Sequence, residues 1–162
     1  MRRFLAALLL LLAGIPGAHA QTISRVDVVD YGIYAVDRKG TGRNSDGIGL
    51  STVSNERLAV KTNVVPAQIG VTFGLHYKVI GPDPGESVDL RKVTRFPESG
   101  LRTPSGEVQH ETERTLRSKV GETRFTAYAL MDNFELVPGI WSIEIWQGST
   151  KLASQNFTLV KQ

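Results

Sequence analysis

The sequence predicts an all-β protein, an antiparallel β-sandwich of about seven to eight strands behind an amino-terminal export signal. Three observations carry this. Residues 71–79 alternate without a break: Val71, Phe73, Leu75, Tyr77 and Val79 fall on one face, Thr72, Gly74, His76 and Lys78 on the other. That period of two belongs to a half-buried strand. Gly, Pro and polar turn signals recur at short intervals along the chain, as expected where short strands are joined by tight connections. No stretch keeps apolar residues at helical spacing, and no internal repeat occurs.

The elements follow in order. A first strand is expected over 24–36, with Val26 and Val28 on one face and Val29, Tyr31 and Ile33 on the other. The facing therefore switches near Asp30, and Gly32 marks a bulge or kink. Residues 37–47 are polar and glycine-rich and read as a loop. Leu58, Val60, Thr62 and Val64 alternate over 57–65, a strand that Pro66-Ala67-Gln68-Ile69-Gly70 ends. After the 71–79 strand, Gly81-Pro82-Asp83-Pro84-Gly85 is a turn.

Val88, Leu90 and Phe96 mark a strand over 88–96; residues 97–106, with two prolines and two glycines, form a long loop. Residues 107–119 are highly charged and lack an apolar helical stripe, so they read as an exposed edge strand. Phe125, Ala127 and Ala129 alternate with Thr126, Tyr128 and Leu130 in the next strand. Leu136-Val137-Pro138-Gly139 turns into 140–146, where Trp141, Ile143 and Ile145 oppose Ser142, Glu144 and Trp146. Gln147-Gly148-Ser149-Thr150 is a hairpin turn, and 151–160 return with Phe157 and Leu159 inward. Trp141 and Phe157 are the expected core anchors, since each buried aromatic removes on the order of 150–250 Å² from water. Strands of this number and spacing fit an immunoglobulin-like sandwich, a fold that does not require a disulfide.

The amino terminus has a different character. Arg2 and Arg3 precede the apolar run Phe4–Ala13; Gly14, Pro16 and Gly17 end it, and Ala18-His19-Ala20 is a small-x-small cleavage site. This order is that of a secretory signal peptide over 1–20, with Gln21 as the mature terminus and 21–162 as a single domain. The apolar run is shorter than the roughly 20 residues of a spanning helix, so no membrane anchor is expected after cleavage. The Arg pair lacks the residue that a twin-arginine signal places before Phe-Leu, which favours general secretion.

The chain has no cysteine, which excludes disulfides, thiolate metal sites and lipoprotein attachment. Its net charge of +3 falls to +1 once Arg2 and Arg3 leave, with 17 basic residues against 16 acidic. A near-neutral domain offers no electrostatic case for nucleic acid.

Several segments carry a family signature. Pro66-Ala67-Gln68-Ile69-Gly70-Val71-Thr72-Phe73-Gly74 follows the pattern I-P-A-x-x-G-x-x-F-G, with Val65 in the isoleucine position. Arg95-Phe96-Pro97 precedes a Gly- and Pro-containing loop. Phe134-Glu135-Leu136-Val137-Pro138-Gly139-Ile140-Trp141 follows W-E-L-V-P-G-x-W, with phenylalanine in the first tryptophan position. The tail from Lys151-Leu152-Ala153 to Phe157 completes the set. Across 24–160 the sequence resembles a bacterial exported family catalogued as domain of unknown function 3859. The resemblance implies the architecture and brings no activity with it.

Candidate sites are sparse. Asp132 and Glu135 flank the approach to Trp141, and paired carboxylates beside an aromatic can serve glycoside hydrolysis. Trp146 faces away from Trp141 near a hairpin tip, where an outward tryptophan forms a platform for a sugar or a protein. His76 and His110 have no metal or catalytic spacing and read as solvated. Asp37, Asn44 and Asp46 put oxygen donors in a glycine-rich loop without the EF-hand order, and no phosphate-loop order occurs. Arg91, Arg95, Arg114, Arg117 and Lys119 lie among Glu111 and Glu113, a mixed, salt-bridged face.

The sequence therefore points to a non-catalytic binding or interaction module of the bacterial cell envelope, periplasmic or secreted. Its expected partner is an envelope protein or glycan; no cofactor, metal or catalytic residue is assigned. The alternatives are a small envelope hydrolase using carboxylates and a structural envelope protein.

Overall fold

The computed structural model describes residues 23–45 and 47–161. The signal peptide expected over 1–20 lies outside the described residues. The strands in chain order are β1 (Arg25–Arg43), β2 (Gly49–Val60), β3 (Val64–Pro66), β4 (Thr72–Ile80), β5 (Ser87–Arg95) and β6 (Leu101–Arg102). β7 (Val108–Gln109), β8 (Glu111–Lys119) and β9 (Thr123–Ala129) follow; a 3-10 turn (Asn133–Glu135) then leads to β10 (Gly139–Gln147) and β11 (Thr150–Val160). Three of these strands have only two or three residues, and the other eight are the seven to eight that the sequence predicts.

Two sheets pack face to face. One has the order β2-β1-β4-β9, the other β3-β11-β10-β5-β8, and β6 and β7 form a separate small ribbon. The sheet pairings are antiparallel except β3 with β11. The sandwich core is where alternation was strongest. Phe73, Leu75, Tyr77 and Val79 of β4 are at most 1% exposed. Trp141, Ile143 and Ile145 of β10, Phe157 and Leu159 of β11, and Val88 and Leu90 of β5 join them. Trp141 makes ring contacts with Phe73, Phe96 and Tyr128. Each such side chain gains roughly 1.5–3 kcal/mol from leaving water.

The expected kink in β1 is present. The register against β4 shifts between Val28 and Asp30, leaving Val29 exposed while Tyr31 and Ile33 pack on the core beside Val26 and Val28. Gly32 sits at φ +154°, where a Cβ would come 2.0 Å from the carbonyl oxygen of Val60. The expected edge strand is present as β8, Glu111–Lys119, while Val108–Gln109 pair with Leu101–Arg102 inside the segment read as a long loop.

Three expectations need correction. Residues 37–47 are not a loop over most of their length: β1 continues to Arg43 and pairs with β2, which starts at Gly49 and not near 57. Polar, glycine-rich sequence can still pair when its neighbour supplies the partners. Residues 57–65 are not one strand, because β2 ends at Val60 and β3 is a separate strand parallel to β11. Leu58, Val60 and Val64 are exposed and Val65 is the buried residue, so the alternation there pointed the wrong way. The polar face of β4 is not open either. Arg38 of β1 reaches over it to donate to the Gly70 carbonyl and to Thr72 Oγ1, and Thr72 is buried.

Candidate functional site

Asp132 and Glu135 come together, in a scaffolding arrangement. Glu135 is fully buried. Its Oε1 accepts from the Tyr128 hydroxyl at 2.8 Å, and Oε2 accepts from the backbone N–H groups of Met131 and Asp132 at 2.6 and 2.9 Å. Asp132 is gripped by Arg43, whose two terminal nitrogens donate to both carboxylate oxygens at 2.7 and 2.8 Å. That pair draws the end of β1 onto the 3-10 turn. The Arg43 guanidinium also lowers the Asp132 pKa, outweighing a small desolvation effect. A glycosidase pair must hold an exchangeable proton and flank a substrate. Here the oxygens of one member are sealed in and those of the other are tied to a cation.

Trp146 lies on the outer face of the five-stranded sheet, at the other end of β10 from that turn, on the order of 20 Å along the strand. Its partner was not visible as a site in the sequence. Glu144, two residues earlier on the same face, is only 4% exposed. The indole N–H of Trp146 donates to Glu144 Oε2 at 2.9 Å, Lys151 Nζ donates to Oε1 at 3.1 Å, and Arg95 Nε donates to Oε2 at 3.2 Å. Arg91 and Lys151, one from each flanking strand, each stand 5.6 Å from the ring centroid. Burial alone would raise the Glu144 pKa; the donors from Lys151 and Trp146 and the charges of Arg95 and Lys151 together lower it. Around this cluster Arg91 pairs with Glu113, Arg95 with Glu111 and Arg117 with Asp89. This is the mixed face that the charge pattern suggested.

Arg114 departs from that face. It stands directly opposite Lys92 in the β5–β8 register, and the alternation of β5 turns both inward with Val88 and Leu90. Lys92 is 5% exposed and donates from Nζ to the Ala127 carbonyl of β9 at 2.9 Å. The two cations line a cleft of about 220 Å³ between β8, β9 and β2, with Thr72, Thr126 and Val53 in its walls. Burial, and then the charge of Arg114, depress the Lys92 pKa to about 7. An inward lysine within a β5 run of Val88, Leu90 and Val93 gave no sequence signal beyond its being a polar residue at a core-facing position.

The histidines do not meet. His76 Nδ1 is 2.7 Å from Asp30 Oδ1, and the Tyr34 hydroxyl donates to that same oxygen, with Phe125 against both rings. His110 is exposed just before β8 of the other sheet. Asp37 accepts from Asn55, Asn44 accepts from the Ile48 N–H, and Asp46 lies outside the described residues. Among the described residues no three His, Asp or Glu side chains converge as metal ligands.

The family model for the domain of unknown function DUF3859 matches residues 23–159. The chain belongs to the DUF3859 family. The DUF3859 signature segments now have physical meanings. Ala67 N–H donates to the Val160 carbonyl and Gly70 N–H to that of Leu130, stitching the β3–β4 turn to both sheets. In the second segment Glu135 holds the 3-10 turn, Trp141 Nε1 donates to the Val137 carbonyl, and Gly139, at φ +131°, sits where a Cβ would press on Pro97. These DUF3859 residues build the scaffold. An immunoglobulin-like protein from Pseudomonas aeruginosa, known from a crystal structure, is 25% identical to this chain. The match covers 85% of this chain and 98% of that one, with a TM-score of 0.60. No curated protein matches the sequence.

Proposed function

We propose that this DUF3859 domain is an exported, non-catalytic binding module of the bacterial cell envelope, periplasmic or secreted, which meets an envelope protein or glycan through Trp146 and the side chains around it. The observation that carries the reading is the fixed setting of Trp146. A half-exposed indole is held by Glu144 and flanked by Arg91 and Lys151. An aromatic already locked in one geometry loses little side-chain entropy on binding, and tryptophan and arginine are enriched among residues that dominate interfaces. Because two cations already stand over the ring, a protein contact is favoured over a sugar stacked on its face. The leader-like residues 1–20 support export to a compartment in which such partners occur.

The test uses the two tryptophans of the chain. Trp141 is fully buried, so a quencher in solution reads Trp146. Titration with envelope glycans and purified envelope proteins should protect Trp146 saturably, and Trp146→Ala should abolish the interaction. A folded Trp146→Ala variant that retains every detected partner and glycan would remove Trp146 from the reading.

A further inference from the structure

Two cations face each other inside the open edge of this sandwich, and among the described residues no acid pairs with either. Lys92 and Arg114 are directly opposed across β5 and β8, an arrangement in which like charges repel. A buried ammonium without a counter-charge is strongly disfavoured. Lys92 uses one of its three donors, on the Ala127 carbonyl at the edge of β9. Arg114 is half-buried and makes no hydrogen bond or ion pair with a described residue. Both border a cleft of about 220 Å³ whose walls include the inward-facing Thr126. That volume is several times the roughly 30 Å³ share of one liquid water, enough for a small polar molecule.

We propose that this cleft binds a small oxyanion, a carboxylate or phosphate group, between the Lys92 ammonium and the Arg114 guanidinium. The Arg114 fork suits two oxygens of one planar or tetrahedral group. Lys92 adds a second charge while keeping its bond to Ala127. The anion would supply what the fold omits, a negative charge between the opposed cations. The depressed Lys92 pKa agrees with a site that lacks this charge when empty. β2 contributes Val53 to the wall. The site is separate from Trp146, which lies on the opposite face of the same sheet.

The experiment measures melting temperature in inorganic phosphate and in succinate against chloride, at matched ionic strength and pH 7. A ligand near a hundredfold excess over Kd should raise Tm by about 5 °C or more. The arm that responds, phosphate or carboxylate, identifies the group recognised. Arg114→Gln, on an edge strand, and Lys92→Met should each abolish the shift, while Trp146→Ala should keep it. No shift in either anion beyond chloride overturns the proposal, as does a shift that persists in Arg114→Gln.

Discussion

Glu144 and Lys92 sit on opposite faces of one sheet, a single residue of register apart: Glu144 pairs with Val93, and Lys92 with Ile145. Both are almost fully buried, and their environments are opposite. Glu144 collects donors from Trp146, Lys151 and Arg95, and its pKa falls despite desolvation. Lys92 finds one neutral carbonyl and a second cation, and its pKa falls to about 7. For an acid a lowered pKa means that the charged form is welcome; for a base it means the reverse. The outer face therefore holds a finished charge network, while the inner edge holds an unfinished one. Rigid, satisfied charges suit a contact surface, and unsatisfied ones suit a ligand.

The largest expected effect comes from a third buried charge, Glu135, which is satisfied like Glu144. Glu135→Ala strands the Tyr128 hydroxyl and two backbone N–H groups, and urea denaturation should show a loss of about 3 kcal/mol or more. A loss below about 1 kcal/mol would mean that satisfied burial matters less than the comparison requires.

Lys92→Met should move stability the other way. Replacing the disfavoured ammonium with an apolar chain of similar length should stabilise the anion-free protein by about 2 kcal/mol at pH 7. The pH dependence has a definite sign. The folded Lys92 titrates near 7 and the unfolded one near 10.5, so the unfolded state holds the extra proton between those values. Wild-type stability should then rise from pH 7 to 9 relative to Lys92→Met, by up to about 1.4 kcal/mol per unit. Equal slopes in the two proteins would contradict an isolated ammonium.

Glu144→Gln should cost less, about 1–2 kcal/mol, because the half-exposed Arg95 and Lys151 can turn to water. With its folded pKa below 4.5, Glu144 contributes stability above that value, which is lost as pH falls through the folded pKa. Denaturation curves between pH 5 and 3 should therefore be shallower in pH for Glu144→Gln than for wild type. The smallest effect is expected for Trp146→Phe, within about 0.5 kcal/mol of wild type in stability; a larger loss would make Trp146 a core residue in place of a contact.

The legible parts of the fold were those in which one face is covered by the other sheet. β4, β10 and β11 carry clean alternation because a residue on the wrong face would lose its burial. β2 is an edge strand paired only with β1, so Leu58 and Val60 could alternate with neither of them buried. The glycine-rich end of β1 had no apolar pattern to read, yet it pairs with β2 through backbone groups, which carry no side-chain signature. Of the candidate site residues, Trp146 could be found as an outward aromatic. Asp132 and Glu135 could be seen as neighbours but not as one ion-paired and one buried carboxylate.

The sequence by itself determined the class of the fold, the inward residues of the central strands, the β10–β11 hairpin and the family, because each rests on local period, turn chemistry or motif order. Tertiary structure alone decided the state of the charges. Whether Glu144 is compensated, or Lys92 and Arg114 are left facing each other, depends on which strands become neighbours and which edge stays open. Electrostatic energy depends on distance and burial in three dimensions, and residues 92, 114 and 127, drawn from three strands and both sheets, meet only once the sandwich has closed.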